Sequence, residues 1–209
     1  MQLGKFKNAH YHQLALLYNR KMINPYELGL TKHIWGDTGN VWQLSLLVTL
    51  AKDNDVFEIG TYRGRTTDQL AKVANKVVTL DWDTTPTEDV PDIDVNKGDG
   101  YSDYTVGEIY KKNNRKNVTQ LIGDSTTIDL SSHYNQYDVV YLDGGHTEEI
   151  AYSDFYLAKN LLRDDGIIII DDSQWDGVYQ AMHKLREEGF EIPTIHYINY
   201  YIKRKKPCF

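Results

Sequence analysis

From Val41 onward the chain alternates short apolar runs with longer mixed segments. Residues 41–51 (VWQLSLLVTLA) have the length and composition of a buried helix, and the run ending at Phe57, Glu58, Ile59 and Gly60 is short enough for a buried strand. The same pattern predicts a helix from about Thr66 to Ala74, then strands at Lys76 to Asp81, Val118 to Ile122 and Tyr137 to Asp143. A helix at about 148–162, a strand at Gly166 to Asp171, a helix at about 175–188 and two closing strands near 190–197 and 199–204 complete the series. Strands apolar on both faces that alternate with helices imply a parallel sheet, covered on both sides and built with right-handed crossovers. Such sheets bind ligands beyond the carboxyl ends of their strands. The chemistry is therefore expected just after Ile59, Leu80, Ile122, Leu142 and Ile170. Each of these is followed within two residues by an acid or a glycine.

Two segments stand outside the alternation. Residues 1–40 are expected to form an N-terminal helical or cap segment ahead of a domain expected over 41–209. Between Asp81 and Asp103 the chain holds eight acids and one lysine, with Pro86, Pro91, Gly98 and Gly100, so 83–105 is expected to be an acidic functional loop.

Composition narrows the class. With 209 residues, 41% hydrophobic and 25% charged, the chain can build one packed core and is not disordered. Gln43, Ser45 and Thr49 interrupt its longest apolar stretch, which is far shorter than the roughly 20 residues a bilayer span needs. The first residues lack the apolar core of a secretion signal, so a cytoplasmic location and no membrane partner are expected. The single cysteine, Cys208, can form neither an internal disulfide nor a thiolate metal site. Net charge is −7, and residues 51–202 hold 28 acids against 14 bases, a balance that repels a phosphate backbone and argues against nucleic acid. The basic run from Lys203 to Lys206 reads as a solvated strand end. Self-association into a homo-oligomer is left open.

Residues 56–67 read VFEIGTYRGRTT, a strand followed by Gly60, Gly64 and a helix start. The glycines permit a tight turn and close approach of a ligand to the backbone. A dinucleotide fingerprint needs a glycine where Tyr62 stands, and Glu58, two residues before the first glycine, suits an ammonium or sulfonium better than a diphosphate. Asp81 is placed to accept both hydroxyls of a ribose. Gly123, Asp124 and Ser125 offer an acceptor for an adenine amino group, and Trp82 packs either in the core or against adenine.

These residues resemble the class I S-adenosylmethionine-dependent methyltransferases, whose first motif matches Glu58 through Thr66 and whose ribose and adenine acids match Asp81 and Asp124. The stretches QLIGDS, YDVVYLDGGH and DDGIIIIDD further resemble the small O-methyltransferases grouped with macrolide-sugar and rhamnosyl O-methyltransferases. The resemblance covers about residues 41–190. It implies a Rossmann-like, doubly wound α/β fold: a mostly parallel seven-stranded sheet with helices on both faces and an antiparallel strand near the C-terminus. It also implies a cofactor site made of Glu58, Gly60, Thr61, Tyr62, Gly64, Thr66, Asp81, Trp82, Asp124, Ser125 and Asp143.

Asp143 ends one predicted strand, and Asp171 and Asp172 end the next. On neighbouring parallel strands these carboxylates lie about 5 Å apart and can converge on one cation, with oxygen ligands favouring Mg²⁺, or Ca²⁺ or Mn²⁺, over zinc. The metal-dependent O-methyltransferases that the chain resembles share this spacing; Asp172 departs from their catechol branch, which has Asn there, and its other reading is a helix cap. His146 stands three residues after Asp143, where the resembled sugar-modifying enzymes place their general base; the alternative is a loop histidine. The other histidines, His10, His12, His33, His133, His183 and His196, read as structural. Tyr197, Tyr200 and Tyr201 either line a sugar site or pack. The expected activity is transfer of a methyl group from S-adenosylmethionine to a hydroxyl of a small polar acceptor, with Asp143 and His146 at the reacting oxygen. The rivals are a catalytically silent cofactor-binding domain and an NAD-dependent oxidoreductase.

Overall fold

The structure, a computed structural model, describes residues 9–24, 27, 38–82, 105–195 and 198–203. Helices α1 (Ala9–Leu17) and α2 (Thr38–Ala51) lead into strand β1 (Asp55–Ile59). There follow α3 (Arg65–Ala71), β2 (Lys76–Asp81), α4 (Glu108–Lys112), β3 (Val118–Ile122) and β4 (Tyr137–Leu142). The chain continues through α5 (Glu148–Leu161), β5 (Leu162–Ile170), α6 (Asp176–Glu187), β6 (Thr194–Ile195) and β7 (Ile198–Ile202). The seven strands lie in the order β3, β2, β1, β4, β5, β7, β6, with β1 to β5 parallel and β7 antiparallel to both β5 and β6. This is the doubly wound α/β sheet expected from the pattern of apolar runs.

Alternate strand residues feed two cores. Val56, Val77, Val139, Ile167 and Ile169 pack under α1, α2 and α3, while Phe57, Val78, Val140, Ile168 and Ile170 pack under α5 and α6. Tyr200 joins the first core and Tyr201 the second, so both tyrosines pack rather than line a sugar site. β5 begins four residues before the expected Gly166. Its pairing with β4 shifts register between Tyr137 and Val139, and Asp165 turns through φ 63 in the extra length. α3 ends at Ala71 rather than Ala74, because Val73 and Ala74 fold back against the first core.

One row of the first face is polar. Gln120, Thr79, Glu58 and Tyr141 are register partners across β3, β2, β1 and β4, one residue short of the carboxyl ends of β1 and β4. Buried polar groups need partners. Part of this need is met in and beside the row: Thr79 donates to Glu58, and Gln120 to Thr61 and to the Thr79 carbonyl.

No helix among the described residues is long and apolar enough to cross a membrane. The acidic loop expected at 83–105 lies outside the described residues except for Thr105. So do His33, His196, Tyr197, residues 204–206 of the basic tail and Cys208.

Candidate active site

The loop after β1 is shaped by its glycines. Gly60 has φ 97, and a β-carbon there would lie 1.9 Å from the carbonyl oxygen of Asp143. Gly64, at φ 76, starts α3, and its β-carbon would strike the Tyr110 ring at 2.6 Å. Between them the backbone is strapped to Asp81, whose Oδ2 accepts the N–H of Thr61 at 2.8 Å and that of Tyr62, while its Oδ1 accepts Trp82 N–H at 2.7 Å. Burial raises the Asp81 pKa, and these three N–H groups oppose the rise. Thr66 is half-buried in the first turn of α3. Trp82 is 52% exposed, which removes the core reading and leaves its indole free to cover a ligand.

Glu58 lies beneath this loop with no exposed surface. Its Oε2 accepts hydrogen bonds from the Thr67 hydroxyl at 2.5 Å and the Thr79 hydroxyl at 2.7 Å, whereas Oε1 is buried and has no partner. Burial pushes its pKa up to about 7 despite the two hydroxyls. A carboxylate oxygen left unpaired in the interior is costly, so the site calls for a donor from outside.

At the end of β3, Asp124 Oδ1 accepts the backbone N–H and the hydroxyl of Thr126, at 2.9 and 2.7 Å, and so caps its own turn. Ser125 hydrogen-bonds the buried Asp154, whose carboxyl burial pushes up to about 6. Gly123 N–H bonds the Asp81 carbonyl at 2.9 Å, which sets this turn beside Asp81.

Asp143, His146 and Asp172 each turn a donor atom into one cluster, with all three atoms within 4.8 Å of one another. His146 Nε2 lies 2.8 Å from Asp172 Oδ2, and the imidazole stacks on Trp175 at 5.1 Å with 3° between the planes. Asp171 does not join this cluster, contrary to the expectation of a three-aspartate set. The chain turns at Asp172 (φ 56), so the adjacent carboxylates take different partners: Asp171 Oδ2 accepts the Tyr141 hydroxyl, and its Oδ1 accepts Gln43 Nε2 and the Asp172 N–H. Burial and the neighbouring Asp171 and Asp172 charges raise the Asp143 pKa well above the usual carboxylate range. Asp171 is also raised, by burial first. Burial would raise Asp172 too, but hydrogen bonds from His146 and Gln174 outweigh it and hold that carboxyl low. Asp143, His146 and Asp172 thus bring three potential ligand atoms to one point, and a cation there would favour the ionised form of the carboxyls.

Residues 57–173 match a family of methyltransferase domains. The chain belongs to that family. Among solved structures, this methyltransferase is similar to the O-methyltransferase NovP at 15% identity, over 78% of this chain and 80% of that one, with a TM-score of 0.58. It is also similar to precorrin 8w decarboxylase from Methanobacterium thermoautotrophicum, at 17% identity over 82% and 95% of the two chains and a TM-score of 0.54. A third likeness is to a SAM dependent methyltransferase from Aquifex aeolicus, at 16% identity over 86% and 97%, with a TM-score of 0.52. At such identities the likeness is one of fold. No curated protein matches the chain in sequence.

Several residues of the methyltransferase's site carry no motif. Gln43 reaches Asp171 from α2, and its sequence signal was a polar break in an apolar helix. Tyr141 looks like a strand core residue, yet its hydroxyl bonds Asp171. Trp175, three residues past Asp172 in DDSQWDG, is half exposed and backs the imidazole. His133 bonds the Tyr137 hydroxyl at 2.6 Å in the second core, as a structural histidine would.

Proposed function

We propose that this methyltransferase moves a methyl group from S-adenosylmethionine to a hydroxyl of a small polar acceptor such as a sugar, assisted by Mg²⁺ or a similar divalent cation. It would then sit with the macrolide-sugar and rhamnosyl O-methyltransferases that it resembles. One observation carries the reading: the Gly60 loop and the Asp143, His146, Asp172 cluster touch, through the contact of Gly60 with the Asp143 carbonyl. A methyl donor held by the first would lie beside an oxygen held by the second.

The residues fit both groups. The unpaired Glu58 Oε1 suits the ammonium of the cofactor's amino-acid end, Gly60 and Gly64 leave the backbone open to it, and Asp81 retains lone pairs for the ribose hydroxyls. Trp82, Asp124 and Ser125 are the residues that would hold the adenine. When bound, the cofactor supplies an electrophilic sulfonium methyl. Asp143 and Asp172 are the carboxylates that would hold the cation. When bound, the cation supplies Lewis acidity that lowers the acceptor hydroxyl's pKa. His146, whose Nε2–H donates to Asp172, takes the hydroxyl proton at its other ring nitrogen, Nδ1, and Asp172 and Trp175 fix the ring for that task.

The test is calorimetry with S-adenosylhomocysteine and with NAD, followed by a methyl-transfer screen of nucleotide sugars and catechols with and without EDTA. Binding of S-adenosylhomocysteine and cation-dependent methylation of a sugar hydroxyl support the reading. Tight NAD binding in its place, or cofactor binding with no turnover on any acceptor, overturns it in favour of an oxidoreductase or a silent binding domain.

A further inference from the structure

Ser173 and Gln174, the residues that follow Asp172, form one wall of a cavity of about 270 Å³. Tyr179, Met182 and Arg186 line it from one face of α6, and Asn199 from β7. Asn199 pairs with Ile170 at the end of β5, so the cavity lies directly beside the turn that carries Asp171 and Asp172. Gln174 links the two places, because its Nε2 donates to Asp172 Oδ1 at 2.7 Å.

Of the residues that line the cavity, Arg186 alone is charged. Its Nε donates to the Ile192 carbonyl at 2.8 Å, and its Nη2 donates to Thr194 Oγ1 and Asn199 Oδ1, both at 2.9 Å. All three partners are neutral. Among the described residues Arg186 forms no ion pair and its Nη1 makes no hydrogen bond. The guanidinium is therefore fixed on one side by three bonds, with its charge uncompensated and two N–H groups unspent. A planar fork held in this way is pre-organised for the two oxygens of a phosphate or carboxylate. In a domain this rich in acids, an anion needs such a local cation to bind at all. Tyr179, half exposed on the same wall, offers a flat apolar surface to a sugar ring.

We infer that this cavity is an acceptor subsite for a sugar-sized molecule bearing an oxyanion, either phosphate or carboxylate, with Arg186 as its anion ligand. The role of the bound molecule as methyl acceptor rests on the function proposed above. The anion site itself rests only on the cavity and the guanidinium.

The test is an NMR titration that follows the arginine Nε–H resonances as α-D-glucose 1-phosphate, D-glucuronate or D-glucose is added. The expected result is a saturable shift of Arg186 with one or both anionic sugars, the stronger response naming phosphate or carboxylate. Neutral glucose should bind about tenfold or more weakly. Arg186→Gln should abolish tight binding. Because Arg186 also ties Ile192, Thr194 and Asn199 together, Arg186→Lys, which keeps the charge without the fork, and the exposed Tyr179→Ala are titrated by ligand-observed NMR alongside it. Both are expected to weaken the anionic sugar severalfold. The inference fails if neither anion gives a saturable shift, if glucose matches them, or if binding is undiminished in the variants that fold. S-adenosylhomocysteine binding on the same sample separates the two readings. Its loss with anion binding intact counts against the methyltransferase reading alone, and the converse counts against the anion site alone.

Discussion

The carbonyl oxygen of Asp143 occupies the space that a side chain on Gly60 would need, 1.9 Å from an ideal β-carbon. Ile59 and Leu142 are register partners on β1 and β4, and the Asp143 N–H bonds the Ile59 carbonyl at 2.8 Å, so this closeness is built into the sheet. Gly60→Ala must open that contact and strain a φ of 97 as well. The expected cost is roughly 2 to 5 kcal/mol of stability, with cofactor affinity lost in whatever remains folded. A melting curve like that of the unmodified protein would show that the loop and the acidic cluster are not in contact.

His146 is held on two sides, by Asp172 at 2.8 Å and by the stacked Trp175. A positioned base contributes about 10² to 10⁴ in rate, so His146→Ala should lower kcat by that order and leave the Kd for S-adenosylhomocysteine unchanged. Trp175→Ala keeps the base and loses only its support, so a smaller fall in kcat is expected, again without a change in cofactor Kd. Full kcat in His146→Ala would assign proton removal to another group.

Removal of the cation should be felt in stability as well as in rate. Asp143, Asp171 and Asp172 repel one another when uncompensated, and a ligand at about 100 times its Kd stabilises the folded state by about 2.7 kcal/mol. EDTA is therefore expected to lower the melting temperature and to stop methyl transfer, and Mg²⁺ to restore both. Asp172 turns an oxygen into the cluster with Asp143 and His146 and Asp171 does not, so Asp171→Asn should weaken the Mg²⁺ response less than Asp172→Asn. The opposite ranking would return Asp171 to the set of metal ligands.

Strand ends were legible because a parallel sheet obliges its ligand-facing residues to follow apolar runs; Gly60, Asp81, Asp124, Asp143 and Asp171 all stand there. What each carboxylate does there was less legible. Asp171 and Asp172 are adjacent in sequence, and only the positive φ at Asp172 assigns one to Tyr141 and Gln43 and the other to His146. Trp82 could not be placed from sequence, since apolarity alone does not distinguish a core indole from one left open for a ligand. Gln43 meets Asp171, 128 residues further along the chain, and no local spacing encodes such a meeting.

Glu58 provides a pH signature for the cofactor site. Its carboxyl ionises near 4.5 in an unfolded chain, but burial holds the proton up to about 7 in the fold, over the opposition of Thr67 and Thr79. Folding therefore takes up a proton between those values, and the Glu58 contribution to stability is complete below pH 4.5 and lost as the pH rises through 7. At roughly 1.4 kcal/mol per pKa unit the loss amounts to about 3 kcal/mol. Asp154, held up to about 6, acts in the same direction, so the comparison that isolates Glu58 is with Glu58→Gln. That variant should match the unmodified protein at pH 4 and exceed it by up to about 3 kcal/mol at pH 8, because glutamine carries no charge to bury. An ammonium placed against Oε1 favours the ionised carboxylate. S-adenosylhomocysteine should therefore bind more tightly as the pH rises from about 5 to about 7 and release a proton on binding, which calorimetry in two buffers of different ionisation enthalpy detects. In Glu58→Gln both the pH dependence and the proton release should shrink. If affinity is flat across that range in the unmodified protein, the cofactor's ammonium does not meet Glu58, and the buried carboxyl serves only to anchor Thr67 and Thr79 beneath the loop.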